Sequence, residues 1–167
     1  MPIAAQATTP RNETLRSLLF LIALSAGLSC SSSPPAPAGI VDGALAPCPV
    51  SPNCVSSEAT DETHAIAPIQ LRGDPQRSWQ TLVATVESTP GVEVVIQRPD
   101  YLYVVATTPI MRFVDNFELW LRPGGRVTVR SASRIGWGDL GANRDRVEAL
   151  RSKLVAAGVA TPSDEGP

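Results

Sequence analysis

The chain has 167 residues, 43% of them hydrophobic, with a formal net charge of −2 and a pI near 5.4. That balance lacks the basic face on which nucleic acid is bound, so no nucleic-acid partner is expected. No internal repeat is visible.

At the N-terminus, Arg11 and Arg16, an apolar run from Leu18 to Leu28, and Cys30 followed by Ser31, Ser32 and Ser33 have the three-part layout of an export signal. The run falls short of the roughly 20 apolar residues a membrane-spanning helix needs. As a buried helix it would have only a serine- and proline-rich stretch to pack on. Residues 1–29 are therefore expected to be a signal peptide. The mature protein is expected in the bacterial periplasm, or as a membrane-anchored lipoprotein facing it. Gly27-Leu28-Ser29-Cys30 is similar to a lipoprotein box in which glycine and leucine have exchanged places, which makes Cys30 a lipidation candidate and the membrane a partner. Cleavage after Ala36 or Ala38, releasing a soluble protein, is the alternative.

From Ser31 to Pro47 the composition is serine, proline, alanine and glycine with one charge at Asp42, too polar and too poor in large side chains to order itself. Residues 30–43 read as a flexible tether, residues 44–158 as a single globular domain and residues 159–167 as a disordered tail. Without its signal the chain suffices for one ordinary domain, burying roughly 65–70% of its unfolded surface. With Cys30 given to the anchor, Cys48 and Cys54 can close a small loop in an oxidising compartment; two free buried thiols are the other possibility. Zinc would need about four ligands, and only these thiols and His64 remain, so neither metal nor cofactor is expected.

Asp74 as N-cap, Pro75 at the first helical position, and Trp79, Leu82, Val83 and Val86 at helical spacing predict a helix ending at Thr89-Pro90-Gly91. Strands follow at Val92 to Gln97 and Tyr101 to Thr107, joined by the turn Arg98-Pro99-Asp100. A second hairpin runs from about Asp115 to Arg122, turns at Pro123-Gly124-Gly125 and returns from Arg126 to Ile135. Pairing apolar with apolar sets Leu121 against Val127, Leu119 against Val129 and Phe117 against Ser131, and puts Glu118 opposite Arg130 on the other face as a cross-strand ion pair. Asn143 is the expected N-cap of a last helix with the stripe Val147, Leu150 and Leu154, ended by Gly158. The expected fold is α+β: a four-stranded antiparallel sheet of two hairpins carrying two packing helices, in the order helix, four strands, helix.

Three segments carry a resemblance: Cys48 to Ser57 (Cys-Pro-Val-Ser-Pro-Asn-Cys-Val-Ser-Ser) with His64 and Pro68; Phe113 to Glu118; and Arg130 to Arg134 with Gly136, Asp139 to Gly141, Asn143-Arg144 and Arg146 to Glu148. Together they resemble the domain-of-unknown-function 1499 family. The resemblance implies a small exported or lumenal domain and lends no catalytic residue. Asn116, where a second acidic residue would be expected after Asp115, argues against a metal site there.

The residues themselves suggest a polar cleft of Arg130, Arg134, Asp139, Asn143 and Arg144 around the glycine loop. Guanidinium forks and a helix N-terminus there would bind a small anionic molecule or an envelope protein. The competing expectation pairs these arginines internally with Glu118, Asp115 or Asp139. An enzyme would need His64 as base, Asp115 or Asp139 to orient it, and Ser57, Ser131 or Ser133 as nucleophile, but no Gly-x-Ser-x-Gly elbow is present. A purely structural envelope protein is the third possibility. Trp120, on the face of Glu118 and Arg130, would either line a ligand surface or belong to partly covered aromatic packing.

Overall fold

The computed structural model describes residues 39–163. The expected signal peptide 1–29, Cys30 and most of the expected tether lie outside the described residues, as do residues 164–167.

The elements are β1 (Ile40–Val41), β2 (Ala44–Leu45), β3 (Cys54–Ser56), β4 (Ile69–Gln70), α1 (Pro75–Glu87), β5 (Val92–Gln97), β6 (Tyr101–Thr107), β7 (Val114–Leu121), a 3-10 turn at Pro123–Gly125, β8 (Arg126–Ser133) and α2 (Ala142–Ala156). The fold is α+β with two helices and antiparallel strand pairing. The main sheet runs β3-β8-β7-β6-β5, with β4 also pairing with β8, so it has six strands rather than four. The helix-first order is corrected as well, since β1 to β4 precede α1. These early strands are two or three residues long, too short to display the two-residue alternation that marks a strand in sequence. β3 and β4 lie end to end along β8, at Ser56↔Arg130 through Cys54↔Ala132 and at Ile69↔Val127.

The β7–β8 register pairs Leu121 with Val127, Leu119 with Val129, Phe117 with Ser131 and Glu118 with Arg130. One face thus carries Phe117, Leu119, Leu121, Val127 and Val129, with Leu102 and Val104 from β6, and packs against Trp79, Leu82, Val83 and Val86 of α1 and Val147, Leu150 and Leu154 of α2. Each such side chain contributes about 1.5–3 kcal/mol when fully buried. In α1, Asp74 caps the helix by accepting from the Arg77 N–H at 2.8 Å. The start of α2 differs from the Asn143 cap read in the sequence: Asn143 lies inside the helix, and Asp139 accepts from the Gly141 N–H (3.1 Å) and the Asn143 N–H (2.9 Å).

The opposite sheet face is covered by the segment from Gly39 to Pro47. Leu45 packs with Tyr101, Tyr103 and Val105 in a second apolar cluster, and Gly39 N–H donates to Glu118 Oε2 at 2.8 Å. The segment ends in a Cys48–Cys54 disulfide, whose Cα atoms are 5.7 Å apart. At the other end, Ala160 is buried and bridges to Leu71, and the Thr161 N–H donates to Gln70 O at 3.0 Å.

Candidate ligand-binding site

The polar residues singled out in the sequence fall into three places. Arg130 and Glu118 sit in the middle of the covered sheet face, Glu118 being 0% exposed. The Arg130 Nη1 meets Glu118 Oε1 at 3.5 Å, and its Nη2 meets the Pro47 carbonyl at the same distance. Tyr101 OH donates to Glu118 Oε2 at 2.6 Å. Burial pushes the Tyr101 phenol far above its ordinary value, and the hydrogen bond to Glu118 and that carboxylate's charge add to the rise. Arg134 donates from Nε to Asn116 Oδ1 at 2.9 Å. Trp120 is half-buried on this face, with the Arg122 guanidinium 4.0 Å from its ring centroid.

Arg144 points elsewhere, donating to the carbonyls of Ala65 (2.8 Å) and Thr63 (3.4 Å). It thereby ties α2 to the loop that holds His64. The His64 Nδ1 is 2.7 Å from Asp61 Oδ1 and its Nε2 is 3.2 Å from the Ser51 carbonyl. With both ring nitrogens engaged, none of Ser57, Ser131 and Ser133 hydrogen-bonds to His64 among the described residues. Ser57 instead extends the β3–β8 pairing, its N–H donating to Val129 O and its Oγ accepting from Val129 N–H.

Asp115, Ser131, Ser133, Asp139 and Asn143 do converge, where the ends of β7 and β8 meet the start of α2. Ser131 Oγ donates to Asn143 Oδ1 at 2.7 Å. The Asn143 Nδ2 faces Asp139 Oδ2 (2.7 Å), Ser133 Oγ (3.0 Å) and the Asn53 carbonyl (3.0 Å). Arg146 completes the cluster, donating to Asp115 Oδ2 at 2.5 Å, Asn143 Oδ1 at 2.7 Å and Ser131 Oγ at 2.9 Å. Arg146 was not singled out in the sequence as a site residue, yet it follows Asn143 by three positions, the spacing that puts two side chains on one helix face. Asn53, next to Cys54, also donates to the Gly136 carbonyl at 2.6 Å. The disulfide ring is thereby joined to the glycine loop.

Above this cluster lies a cleft of about 360 Å³ between the β6–β7 loop and the β8–α2 loop. Its walls are Ile110, Met111, Phe113, Ile135 and Leu140, all exposed. Trp137, on the same glycine loop, is exposed too. Leu140 (φ 54°) and Arg112 (φ 56°) hold left-handed backbone angles in these two loops, a conformation that costs non-glycine residues of order 1–3 kcal/mol. Asp115 and Ser133, directly opposite each other across β7 and β8, line the cleft with Asp139. Asp115 is 1% exposed, and its Oδ1 is buried with no hydrogen-bond partner among the described residues. Sequence reading passes over the apolar walls because residues in irregular loops carry no helix or strand period.

A broader groove of about 610 Å³ between α1 and the β5–β6 turn is lined by Gln76, Gln80, Glu87, Gln97 and Arg98 among others. It contains no buried unpartnered polar atom among the described residues. The described residues also hold no group of three or more histidine, cysteine or acidic side chains placed to bind a metal ion.

No curated protein matches the chain. Residues 44–154 match the family described as Protein of unknown function (DUF1499), and the chain belongs to that family.

Proposed function

We propose that this domain is a binding module of the bacterial cell envelope, exported by residues 1–29, held to the membrane through Cys30, and taking an apolar ligand or partner in the cleft beside its glycine loop. The observation that carries the reading is the cleft itself: five exposed apolar side chains from two loops surround a buried carboxylate. Soluble domains rarely leave such residues contiguous and uncovered unless they are used. The volume falls within the roughly 300–1,000 Å³ of small-molecule sites, which are typically apolar with a few placed polar groups.

An anionic ligand on Arg130, Arg134 and Arg144 is less favoured by the same geometry. Each of those guanidiniums already meets protein acceptors, and Asp139 already occupies backbone donors at the start of α2. An enzyme built on His64, Ser131 and Asp115 is less favoured too, since both His64 ring nitrogens are engaged away from the serines.

The test uses N-phenyl-1-naphthylamine, an uncharged apolar dye that fluoresces on leaving water, with the purified full chain. Saturable uptake is expected, and its loss in Phe113→Asp and in Leu140→Asp. No uptake, or uptake unchanged in both variants, would overturn the reading.

A further inference from the structure

The floor of the cleft distinguishes among apolar ligands by their head group. Asp115 Oδ2 is held by Arg146, and Oδ1, buried and without a hydrogen-bond partner among the described residues, can only accept a hydrogen bond. Ser133, its cross-strand partner, accepts from Asn143 Nδ2 at 3.0 Å, while its own hydroxyl proton meets no acceptor among the described residues. The cleft therefore offers one acceptor and one donor side by side, beneath apolar walls.

We propose that the cleft takes an uncharged apolar alcohol, a long-chain or ring-bearing molecule whose terminal hydroxyl donates to Asp115 Oδ1 and accepts from the Ser133 hydroxyl. This rests on the binding reading above and names the ligand class for the same site. A hydroxyl is the small uncharged group that both donates and accepts through one atom. An ether could satisfy Ser133 alone and would leave the buried Asp115 oxygen unmet. A carboxylate would bring a like charge against Asp115, with Asp139 also lining the cleft. An alkylammonium could satisfy Asp115 but not Ser133, and that carboxylate already has its counter-charge in Arg146. Desolvating a second cation there gains little in return.

The experiment displaces N-phenyl-1-naphthylamine from the wild-type full chain with decan-1-ol, its methyl ether, decylamine and decanoate at pH 8. Decan-1-ol is expected to displace the dye at roughly ten-fold lower concentration than the ether, with decanoate weakest. In Ser133→Ala the alcohol and the ether should both displace the dye less well with the alcohol's advantage kept, since both accept from that hydroxyl, and in Asp115→Asn the advantage should disappear. If Asp115→Asn fails to fold, the wild-type ranking and Ser133→Ala still decide. Equal displacement by alcohol and ether, or tighter displacement by decylamine or decanoate, would overturn the alcohol assignment while leaving the binding reading intact. Failure of the dye to bind would overturn both. Sedimentation with phosphatidylcholine vesicles without any head-group ranking would make the loops a membrane-inserting edge and also end the proposal.

Discussion

The ionisable side chains of this domain are mostly committed to particular partners, and two of them have consequences that can be titrated. For Asp61, an exposed side chain, slight desolvation pushes the carboxyl up, but hydrogen bonds from the His64 ring and backbone N–H, together with the ring's charge, leave it below its ordinary 3.8. A lowered folded value contributes stability above 3.8 that is lost as pH falls below it. Asp61→Asn should therefore flatten part of the acid limb of a melting-temperature profile; an unchanged limb would show that the contact is not formed. Tyr101 is the opposite case, its phenol raised above the ordinary 10.0. Its contribution is fully present below pH 10 and is lost as pH climbs beyond it. Absorbance titration should show Tyr101 ionising only together with alkaline unfolding, and Tyr101→Phe, which lacks both the contribution and its titration, should flatten the alkaline limb of the stability profile. At this same scale, the sequence contained the parts of the cleft floor but not their arrangement. Asp115, Ser131, Ser133 and Asn143 are visible as polar residues, whereas their meeting depends on how the ends of two strands face the first turn of a helix.

Among the elements, the β7–β8 hairpin was the most legible, because apolar residues alternate on both arms and only one register keeps them on one face. That register sets Glu118 against Arg130, both of them buried. Glu118→Ala should cost roughly 3–5 kcal/mol by leaving a buried guanidinium unpaired, and a double-mutant cycle with Arg130 by chemical denaturation should reveal strong coupling. Strands β3 and β4 were not legible: two or three residues carry no period, and β8 alone defines their positions. The turn into β5 depends on one atom's worth of space. Gly91 has a φ of 78°, and a Cβ there would stand 2.7 Å from the Thr107 carbonyl oxygen. Gly91→Ala should destabilise by about 2 kcal/mol or more, whereas Gly43→Ala, with equal φ and open space around it, should cost less; thermal unfolding of the pair separates sterics from backbone strain.

Across the described domain as a whole, the helical face of the sheet is stabilised by apolar burial, while the other face depends on a short covering segment and polar contacts. Composition and periodicity signal the first arrangement. They are silent on the second, because Gly39 to Pro47 carries few large apolar residues and only Leu45 among them reaches the second cluster. The disulfide limits how far that cover can depart. Reduction of Cys48–Cys54 should lower stability by about 2 kcal/mol, the low end for so short a ring, and hydrogen exchange at Gly39 and Leu45 should accelerate before exchange in β7. Uniform acceleration throughout would mean that the cover and the sheet open as one unit.

The crosslink also determines how this domain would bear mechanical load. A pull delivered through the chain upstream of Gly39 would first break the Gly39 bond to Glu118 and then peel β1 and β2 away. It would stop at Cys48, where strain passes through sulfur into Cys54 and sideways across β8. Under tension the molecule would thus lengthen by one short segment and bare the Glu118–Arg130 pair, with the rest of the sheet unstretched.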